Sequence, residues 1–352
     1  MSQQFTPPQT KFPPMSPFAL FKEHVYLSRF AFTLFIPLVS AATVTHAKLP
    51  ELSTILIIIA VAWGFHMTYY GFNDVADYEL DKILGRKDDH PLVRGDVSRR
   101  TALFITLIHT AAIFVIEIFS GTTIQLLLLL AIACGGVIIY DLFGKKNPFP
   151  PLTDAIESIG FIALSLYAAF KVGAPSILSY ILAINIGIFL NFVTGCFLGI
   201  VDLVGDLKGG ARTTAIWFGT HPVEGSSLPH IPRGLTILGC LQIFLLLFMN
   251  FLPLFRNDFQ YPSITRTMIM TIVMSISIVF CFHTIRFIIS GTAWQKTPED
   301  FDQDLLALYS ILILMVTYLP YVSFQWLIAL GICVISPVAI SKILGRIKLP
   351  AN

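Results

Sequence analysis

Long apolar stretches recur along almost the whole of this 352-residue chain. A helix needs about 20 predominantly apolar residues to cross the hydrocarbon core of a bilayer. Because lipid offers the backbone no hydrogen-bond partners, such stretches fold as helices packed against one another. The sequence therefore predicts an all-α integral membrane protein of nine or ten transmembrane helices. The candidate spans are 30–47, 53–72, 101–119, 123–140, 154–172, 177–201, 235–255, 265–289, 305–320 and 322–343.

Charge and cysteine content narrow the class further. Only 12% of the residues are charged, against roughly 25% in soluble domains. A net charge of +2 gives no basic surface for nucleic acid, and no protein partner is inferred. The five cysteines show no CxxC spacing, so they are interpreted as small apolar residues within the spans. The partner expected from composition is the lipid bilayer.

The distribution of Lys and Arg predicts an orientation. Segment 1–23 is rich in proline and is expected to be a disordered cytosolic tail, followed by a single transmembrane domain at 24–352. With ten spans and a cytosolic N-terminus, 19 of the 23 Lys and Arg fall on the cytosolic side, as the positive-inside rule requires. The endoplasmic reticulum is the expected membrane if the source is fungal.

Residues 73–81, NDVADYELD, place acidic side chains directly after an apolar span. In a helix, Asn73, Asp77 and Asp81 are spaced i, i+4 and i+8 and project from one face. Carboxylates at this spacing repel one another. Oxygen ligands without His or Cys suit Mg²⁺, which binds carboxylates together with waters and substrate phosphates. This segment is therefore a candidate magnesium site.

A second acidic segment, DLVGDLKGGARTTA, occupies residues 202–215 after the sixth span. Asp202 and Asp206 are again i and i+4, and the predicted topology puts them on the same side of the membrane as the first segment. The alternative is a pair of polar helix ends that reach the interface. Two ladders of matching spacing on one face favour a shared cation site over that alternative.

Basic residues follow each ladder, as a metal–diphosphate complex requires. The positive-inside rule could account for most of them, so both explanations stay open at this point. They are Lys82, Arg86, Lys87, Arg94, Lys208 and Arg212.

These segments together resemble the motifs of the UbiA superfamily of intramembrane prenyltransferases. NDVADYELD is similar to NDxxDxxxD, and DLVGDLKGGART to DxxGDxKxGxxT, while YDLFGKK supplies Tyr140 and Lys145. One departure is His90, where the family usually has Arg. The resemblance implies a bundle around a central cavity and Mg²⁺-dependent ionisation of an isoprenyl diphosphate. It implies metal ligands at Asn73, Asp77, Asp81, Asp202 and Asp206, and the four aspartates are also the expected catalytic residues. The expected diphosphate-binding residues are Asn73, Arg86, Arg94, Tyr140, Lys145, Lys208 and Arg212.

Two fates are open to the allylic cation left by ionisation. In a prenyltransferase a small, often aromatic acceptor attacks it; in a terpene cyclase the chain's own double bonds do so. The stretch FHMTYYGFNDVADYELDKILGRKDDHPLVRG resembles the fungal terpene cyclase branch of the superfamily more than its 4-hydroxybenzoate enzymes. Aromatic residues, 13% of the chain, could stabilise a cation. The prediction is a sesquiterpene cyclase acting on farnesyl diphosphate, with a prenyltransferase as the alternative enzyme and a membrane transporter as the non-enzymatic alternative.

A few polar residues fall within or at the ends of the apolar spans. Interhelical hydrogen bonding accounts for most groups of this kind. Glu157, one turn inside the fifth span, is also a candidate cavity acid, and Arg29 is a candidate for recognising an acceptor carboxylate in the prenyltransferase alternative. The remaining candidates are His66, His109, Asp154, Asn185 and Asn191.

Overall fold

The computed structural model describes residues 35–45, 48–84, 90–252 and 322–332, with scattered positions between 264 and 282. Within these residues the secondary structure is helical, apart from one isolated bridge between His221 and His230. The long helices are α1 Phe35–Val44, α2 Leu52–Leu84, α4 Arg99–Phe119, α5 Ile124–Phe143, α6 Pro150–Val172, α7 Ile177–Phe192 and α11 Arg233–Phe251. The short ones are α3 Pro91–Arg94, α8 Gly199–Val201, α9 Leu203–Lys208 and α10 Thr214–Trp217.

The helices begin where the sequence provides capping groups. The Ser98 hydroxyl accepts from the Thr101 amide at the start of α4, and Thr123 caps α5 in the same way. Ser176 forms a capping box at the start of α7. Pro150 begins α6, where its missing N–H costs nothing because the first helical amides have no intrahelical partner. Local sequence thus fixes the ends of the bundle's central helices.

Helix α6 lies at the centre of the described bundle and packs against α1, α5 and α7. Its approach to α5 is close because glycines face each other: a Cβ on Gly136 would lie 2.9 Å from the Cα of Gly160. Small residues of this kind let helix backbones approach within membranes. Helix α2 packs on α4 and α5, and α11 packs on α7.

Apolar side chains on the outer helices are left exposed. In the most apolar window of α4 only 22% of the residues are buried, against 72% in the span Ile177–Val201. Large hydrophobic residues such as Phe104, Ile118 and Phe119 are exposed on α4. Lipid chains solvate such residues at no cost, so α4 is a peripheral helix of a membrane bundle and α7 an inner one.

The all-α membrane fold is confirmed, and the described residues include six helices long and apolar enough to cross a bilayer. The number of spans, nine or ten, stays a prediction because most of 265–289, 305–320 and 333–343 lies outside the described residues. The predicted tail at 1–23 also lies outside them. From the C-terminal part, Trp326 is fully buried and its indole N–H donates to the Thr45 carbonyl oxygen at 3.0 Å.

Candidate active site

The first acidic segment is the last part of α2. This helix runs 33 residues, so it continues well past the apolar sequence that began it. The predicted helical spacing of Asn73, Asp77 and Asp81 is therefore present on one continuous helix. All three side chains are partly buried, which keeps them near the protein surface at the end of the bundle.

The second acidic segment follows an irregular continuation of α7. Residues Val193–Leu198 form a π-helical turn, α8 then ends at Val201, and Asp202 lies between α8 and α9. The Asp206 amide donates to the Asp202 carbonyl oxygen at 2.9 Å, so the helical i, i+4 relation survives the break. Asp206 is buried, with 4% of its surface exposed, and Asp202 is partly buried.

Lys145 brings the two acidic segments together. Its ammonium nitrogen lies 2.6 Å from Asp77 Oδ2 and 3.7 Å from Asp206 Oδ1. It follows α5 in a short 3₁₀ turn, and its own carbonyl oxygen accepts from the Arg212 amide at 2.8 Å. The ammonium group offsets the repulsion between carboxylates from two different helices. Three segments distant in sequence therefore meet at one lysine.

Asp141 adds a further carboxylate that sequence analysis missed. It lies on α5 next to Tyr140 and is 8% exposed. Its Oδ1 accepts from the side-chain amide of Asn73 at 3.4 Å. Its Oδ2 is buried without a hydrogen-bond partner among the described residues. The sequence did contain a signal for Asp141: it precedes Lys145 by four residues, and residues at this spacing lie on one face of a helix.

Some of the predicted diphosphate-binding residues lie beside the acidic segments, and others do not. Lys208 and Arg212 are exposed beside the second acidic segment, and Tyr140 is partly buried next to Asp141. The Arg94 guanidinium forms an ion pair with Asp96 at 2.5 Å, so it is engaged with its own loop. Arg86 lies outside the described residues.

His90 is built into the acidic end of the bundle. Its Nε2 lies 3.1 Å from Oδ2 of Asp74, a carboxylate that is 2% exposed. The contact joins the start of α3 to α2 beside Asp77. The departure from the resembled motif at this position therefore gives a side chain that pairs with the acidic segment.

A second polar group lies deeper, along the same face of α2. Tyr69 is four residues before Asn73, and its hydroxyl donates to Glu157 Oε1 of α6 at 2.7 Å. Its ring packs edge-on against Phe161, with centroids 5.3 Å apart. Asp154, one turn earlier on α6, accepts from the Thr214 hydroxyl at 2.5 Å. Polar side chains thus extend from the acidic end into the membrane span.

The donor set suits a hard cation. In the part of the chain that the structure describes, no three His, Cys, Asp or Glu side chains are close enough to hold a metal by themselves. Mg²⁺ does not require such a cage, because one or two carboxylates and substrate phosphate oxygens suffice. Asp77 and Asp206 supply oxygens from two different helices, and Asn73 and Asp202 lie on the same two acidic segments. The residues therefore fit a metal bound together with a phosphate-bearing substrate.

The fold and the site define a multi-pass membrane protein with two acidic motifs joined at one end of its bundle. The model of the UbiA prenyltransferase family matches residues 34–257, which include both motifs. The chain belongs to that family of membrane enzymes. This confirms the resemblance drawn from the motifs, at the level of the superfamily.

Relatives of known activity are prenyltransferases. The chain is 30% identical over 184 residues to the digeranylgeranylglyceryl phosphate synthase of Pyrococcus furiosus, covering 51% of this chain and 61% of the relative. It is 27% identical over 174 residues to the 4-hydroxybenzoate octaprenyltransferase of Pseudomonas syringae pv. tomato, covering 48% and 56%. The chain thus spans about three fifths of the length of the curated relatives it matches.

Solved structures share the fold over most of the chain. A UbiA homologue from Archaeoglobus fulgidus bound to DMAPP and Mg²⁺ superposes with a TM-score of 0.57 at 14% identity, covering 85% of this chain and 99% of that one. The apo structure of a UbiA homologue from Aeropyrum pernix K1 gives 0.55 at 16% identity, covering 90% and 98%. At such low identities the similarity to these structures supports a shared fold and nothing more.

Proposed function

We propose that this protein is a Mg²⁺-dependent prenyltransferase that moves an isoprenyl group from its diphosphate to a small acceptor. The observation that carries the proposal is Lys145, which holds Asp77 and Asp206 at one point. Two acidic motifs and a cation at their junction form a site complementary to a metal-bound diphosphate. The Archaeoglobus fulgidus homologue, bound to DMAPP and Mg²⁺ in one structure and to GPP and Mg²⁺ in another, supports the substrate class.

Each group has a role in this proposal. Asn73, Asp77, Asp81, Asp202 and Asp206 would hold Mg²⁺, which when bound neutralises diphosphate charge and favours its departure. Lys145 contacts the diphosphate in exchange for its contacts with the two aspartates. Lys208 and Arg212, exposed beside the second motif, attract the substrate and bind its outer oxygens. The apolar spans hold the isoprenyl chain and exclude water from the cation.

Prenyl transfer is favoured over the cyclase predicted from sequence. One similar relative is named a 4-hydroxybenzoate octaprenyltransferase, and another a digeranylgeranylglyceryl phosphate synthase, a name that joins geranylgeranyl groups to a glyceryl phosphate. The sesquiterpene cyclase keeps one supporting observation, the group of aromatic rings in which Phe161 packs edge to face against Phe65 and Tyr69. The two activities differ in whether an acceptor is consumed.

One experiment separates them. Membranes containing the protein are incubated with Mg²⁺ and farnesyl diphosphate, with and without a panel of phenols and alcohols, and the products are identified by mass spectrometry. We expect prenylated adducts that require both Mg²⁺ and acceptor. A cyclic hydrocarbon formed from farnesyl diphosphate alone would replace the prenyltransferase with the cyclase.

We also propose that the acidic motifs face the cytosol, following the Lys and Arg distribution, and that the membrane is the endoplasmic reticulum. Loops 141–153 and 202–233 lie at the same end of the bundle, since the Lys145 carbonyl oxygen accepts from Arg212. Cysteines introduced at Lys146 and Glu224 are expected to react with an impermeant reagent from the cytosolic side only. Labelling from the lumenal side would invert the orientation.

A further inference from the structure

Glu157 is a buried carboxylate with one unused oxygen. It lies in the second turn of α6, is 0% exposed, and accepts from Tyr69 through Oε1. Its Oε2 is buried and has no hydrogen-bond partner among the described residues. The Thr194 hydroxyl is near enough to interact with this carboxylate, but its single proton is placed to donate to the Leu190 carbonyl oxygen at 2.9 Å, which leaves Oε2 without that donor. Buried polar atoms are paired in most native structures, so Oε2 is available for a partner from outside these residues.

The neighbouring Asp154 shows what a purely structural carboxylate looks like on the same helix. Its Oδ2 accepts from the Thr214 hydroxyl at 2.5 Å, and this joins α6 to the segment after the second acidic motif. The π-helical turn passes so close that a Cβ on Gly195 would lie 2.8 Å from the same oxygen. Both carboxylates are buried, but Asp154 Oδ2 has a hydrogen-bond donor within the protein, whereas Glu157 Oε2 has none among the described residues.

The position of Glu157 fits the acceptor side of a transfer reaction. Tyr69, which holds it, precedes Asp77 by eight residues on α2, a rise of about 12 Å along the helix axis. Tyr140 precedes Asp141, which accepts from the side-chain amide of Asn73, so α5 also carries polar side chains beside this stretch of α2. A diphosphate held at Asp77 leaves its isoprenyl carbons on the membrane side, and Glu157 lies on that side.

Some side chains near Glu157 are partly exposed. Tyr69, Tyr70 and Thr194 are only partly buried, although all three lie within membrane-spanning helices. The two tyrosines belong to α2 and Thr194 to the π-helical turn. An acceptor that binds Oε2 would approach from this partly exposed side.

On the basis of the prenyl transfer proposed above, we infer that Glu157 binds the hydroxyl group of the acceptor and takes its proton. The acceptor is then a phenol or an alcohol. Its O–H bond breaks with the proton passing to Oε2, and the electron pair left on the acceptor forms a bond to C1 of the isoprenyl group. Where a phenol reacts through a ring carbon, that carbon then loses its own proton and the phenolic oxygen regains one, which restores the aromatic ring. The C1–oxygen bond to diphosphate breaks, and that electron pair leaves with the diphosphate. Tyr69 is a positioning residue that fixes the carboxylate through Oε1.

The test separates ionisation from transfer. Glu157→Gln preserves an oxygen for Tyr69 and replaces Oε2 by an amide that cannot take a proton. With farnesyl diphosphate, Mg²⁺ and a panel of hydroquinone, 4-hydroxybenzoate and glycerol 1-phosphate, released diphosphate and prenylated adduct are measured separately. We expect the ratio of adduct to diphosphate to fall about 100-fold, within the range of general base catalysis, while diphosphate release stays within about fivefold because the metal-binding aspartates are untouched.

Two further variants guard against a folding defect. Glu157→Asp keeps a carboxylate withdrawn by one methylene group, and we expect a ratio between those of wild type and Glu157→Gln. Glu117→Gln, at a buried glutamate whose partners are all within the protein, is the matched control and should keep the wild-type ratio within about twofold. Gel filtration of each tagged variant in detergent measures the folded fraction to which the ratios refer.

The outcomes distinguish the inference from the function on which it rests. A wild-type enzyme that forms adducts and a Glu157→Gln variant with the same ratio would overturn the role of Glu157 alone. Equal losses in Glu157→Gln and Glu117→Gln would also overturn it, since the effect would then be structural. Release of diphosphate by the wild type without adduct from any member of the panel would overturn prenyl transfer itself, and the acceptor role with it.

Discussion

Two buried glutamate–tyrosine pairs lie near opposite ends of α6 and differ in one respect. At the far end, Glu117 accepts from Tyr167 at 2.6 Å and from Lys171 at 2.8 Å, so both of its oxygens are used. At the acidic end, Glu157 accepts from Tyr69 through Oε1, and its Oε2 has no hydrogen-bond partner among the described residues. Both glutamates are 0% exposed. Because burial is equal, the difference in pairing distinguishes a carboxylate that joins helices from one that is available to a substrate.

The pair formed by Glu117 and Tyr167 has a purely structural role. The Lys171 ammonium is 8% exposed and also donates to the Ser120 hydroxyl at 2.6 Å, so the end of α6 is tied to the end of α4. Removing one member of a buried ion pair leaves an uncompensated charge, whereas the complete pair is tolerated in low dielectric. The acidic end instead keeps several carboxylates around one half-exposed lysine, which is the arrangement expected of a site that receives a charged ligand.

The largest effect is expected at the acidic end. Asp77→Asn removes a proposed metal ligand and should lower turnover of isoprenyl diphosphate at least about 1,000-fold, because the leaving group loses its charge stabilisation. Glu79→Gln, at an exposed glutamate of the same segment that is not a predicted ligand, is the control and should retain activity. Diphosphate release by purified protein measures both. Comparable turnover by Asp77→Asn and wild type would remove the first acidic segment from the mechanism.

A substitution in the Glu117 pair should lower the stability of the protein and leave its turnover unchanged. Lys171→Met leaves Glu117 buried without a counter-charge, at a cost of about 3–5 kcal/mol. Lys48→Met, at an exposed lysine of the same end, should be near neutral. Unfolding in detergent at increasing denaturant measures the change, and turnover per folded molecule should match wild type. A loss of turnover without a loss of stability would contradict the structural role of this pair.

Lys145 is expected to act on substrate binding more than on folding. Lys145→Met removes the cation between Asp77 and Asp206, and we expect kcat/KM for the diphosphate to fall about 10–100-fold. The adjacent Lys146 is exposed, so Lys146→Met controls for the general loss of one positive charge in the loop. Equal effects of the two substitutions would mean that Lys145 contributes only to the charge of the loop.

The smallest expected effects compare the two tyrosines. Tyr167→Phe removes one hydrogen bond to a buried carboxylate and should destabilise the protein by about 1–3 kcal/mol, with the product ratio unchanged. Tyr69→Phe should cost about the same or less, and should lower the ratio of adduct to diphosphate about three- to tenfold because Glu157 is no longer held. If both variants showed the same change in stability and in the ratio of adduct to diphosphate, the two glutamate–tyrosine pairs would not differ in role.

Much of this architecture could be predicted from sequence because lipid simplifies the problem. Apolar runs specify helices, and the starts of α4, α5 and α6 lie within four residues of the predicted ones. The i, i+4 spacing of the first acidic segment required only that α2 continue beyond its apolar part, which it does to Leu84. The number of predicted spans between the two acidic motifs also indicated that both lie on the same side of the membrane.

What sequence could not supply were contacts between distant helices. Nothing local indicates that Lys145 contacts Asp77 or that Asp141 contacts Asn73, since these pairs are 68 residues apart. Glu117 and Glu157 are both isolated acids in apolar sequence, and only the packing of α6 decides which one is fully paired. The π-helical turn before Asp202 has no recognisable signature in VTGCFL.

The central claim is that the acidic end ionises an isoprenyl diphosphate and transfers the isoprenyl group to an acceptor. The most direct measurement is the stoichiometry of released diphosphate and prenylated product from purified wild-type protein, with and without Mg²⁺. The account predicts Mg²⁺-dependent release matched about one to one by adduct in the presence of a hydroxyl-bearing acceptor. Release matched by a cyclic hydrocarbon without acceptor, or no Mg²⁺-dependent release from any isoprenyl diphosphate, would contradict it.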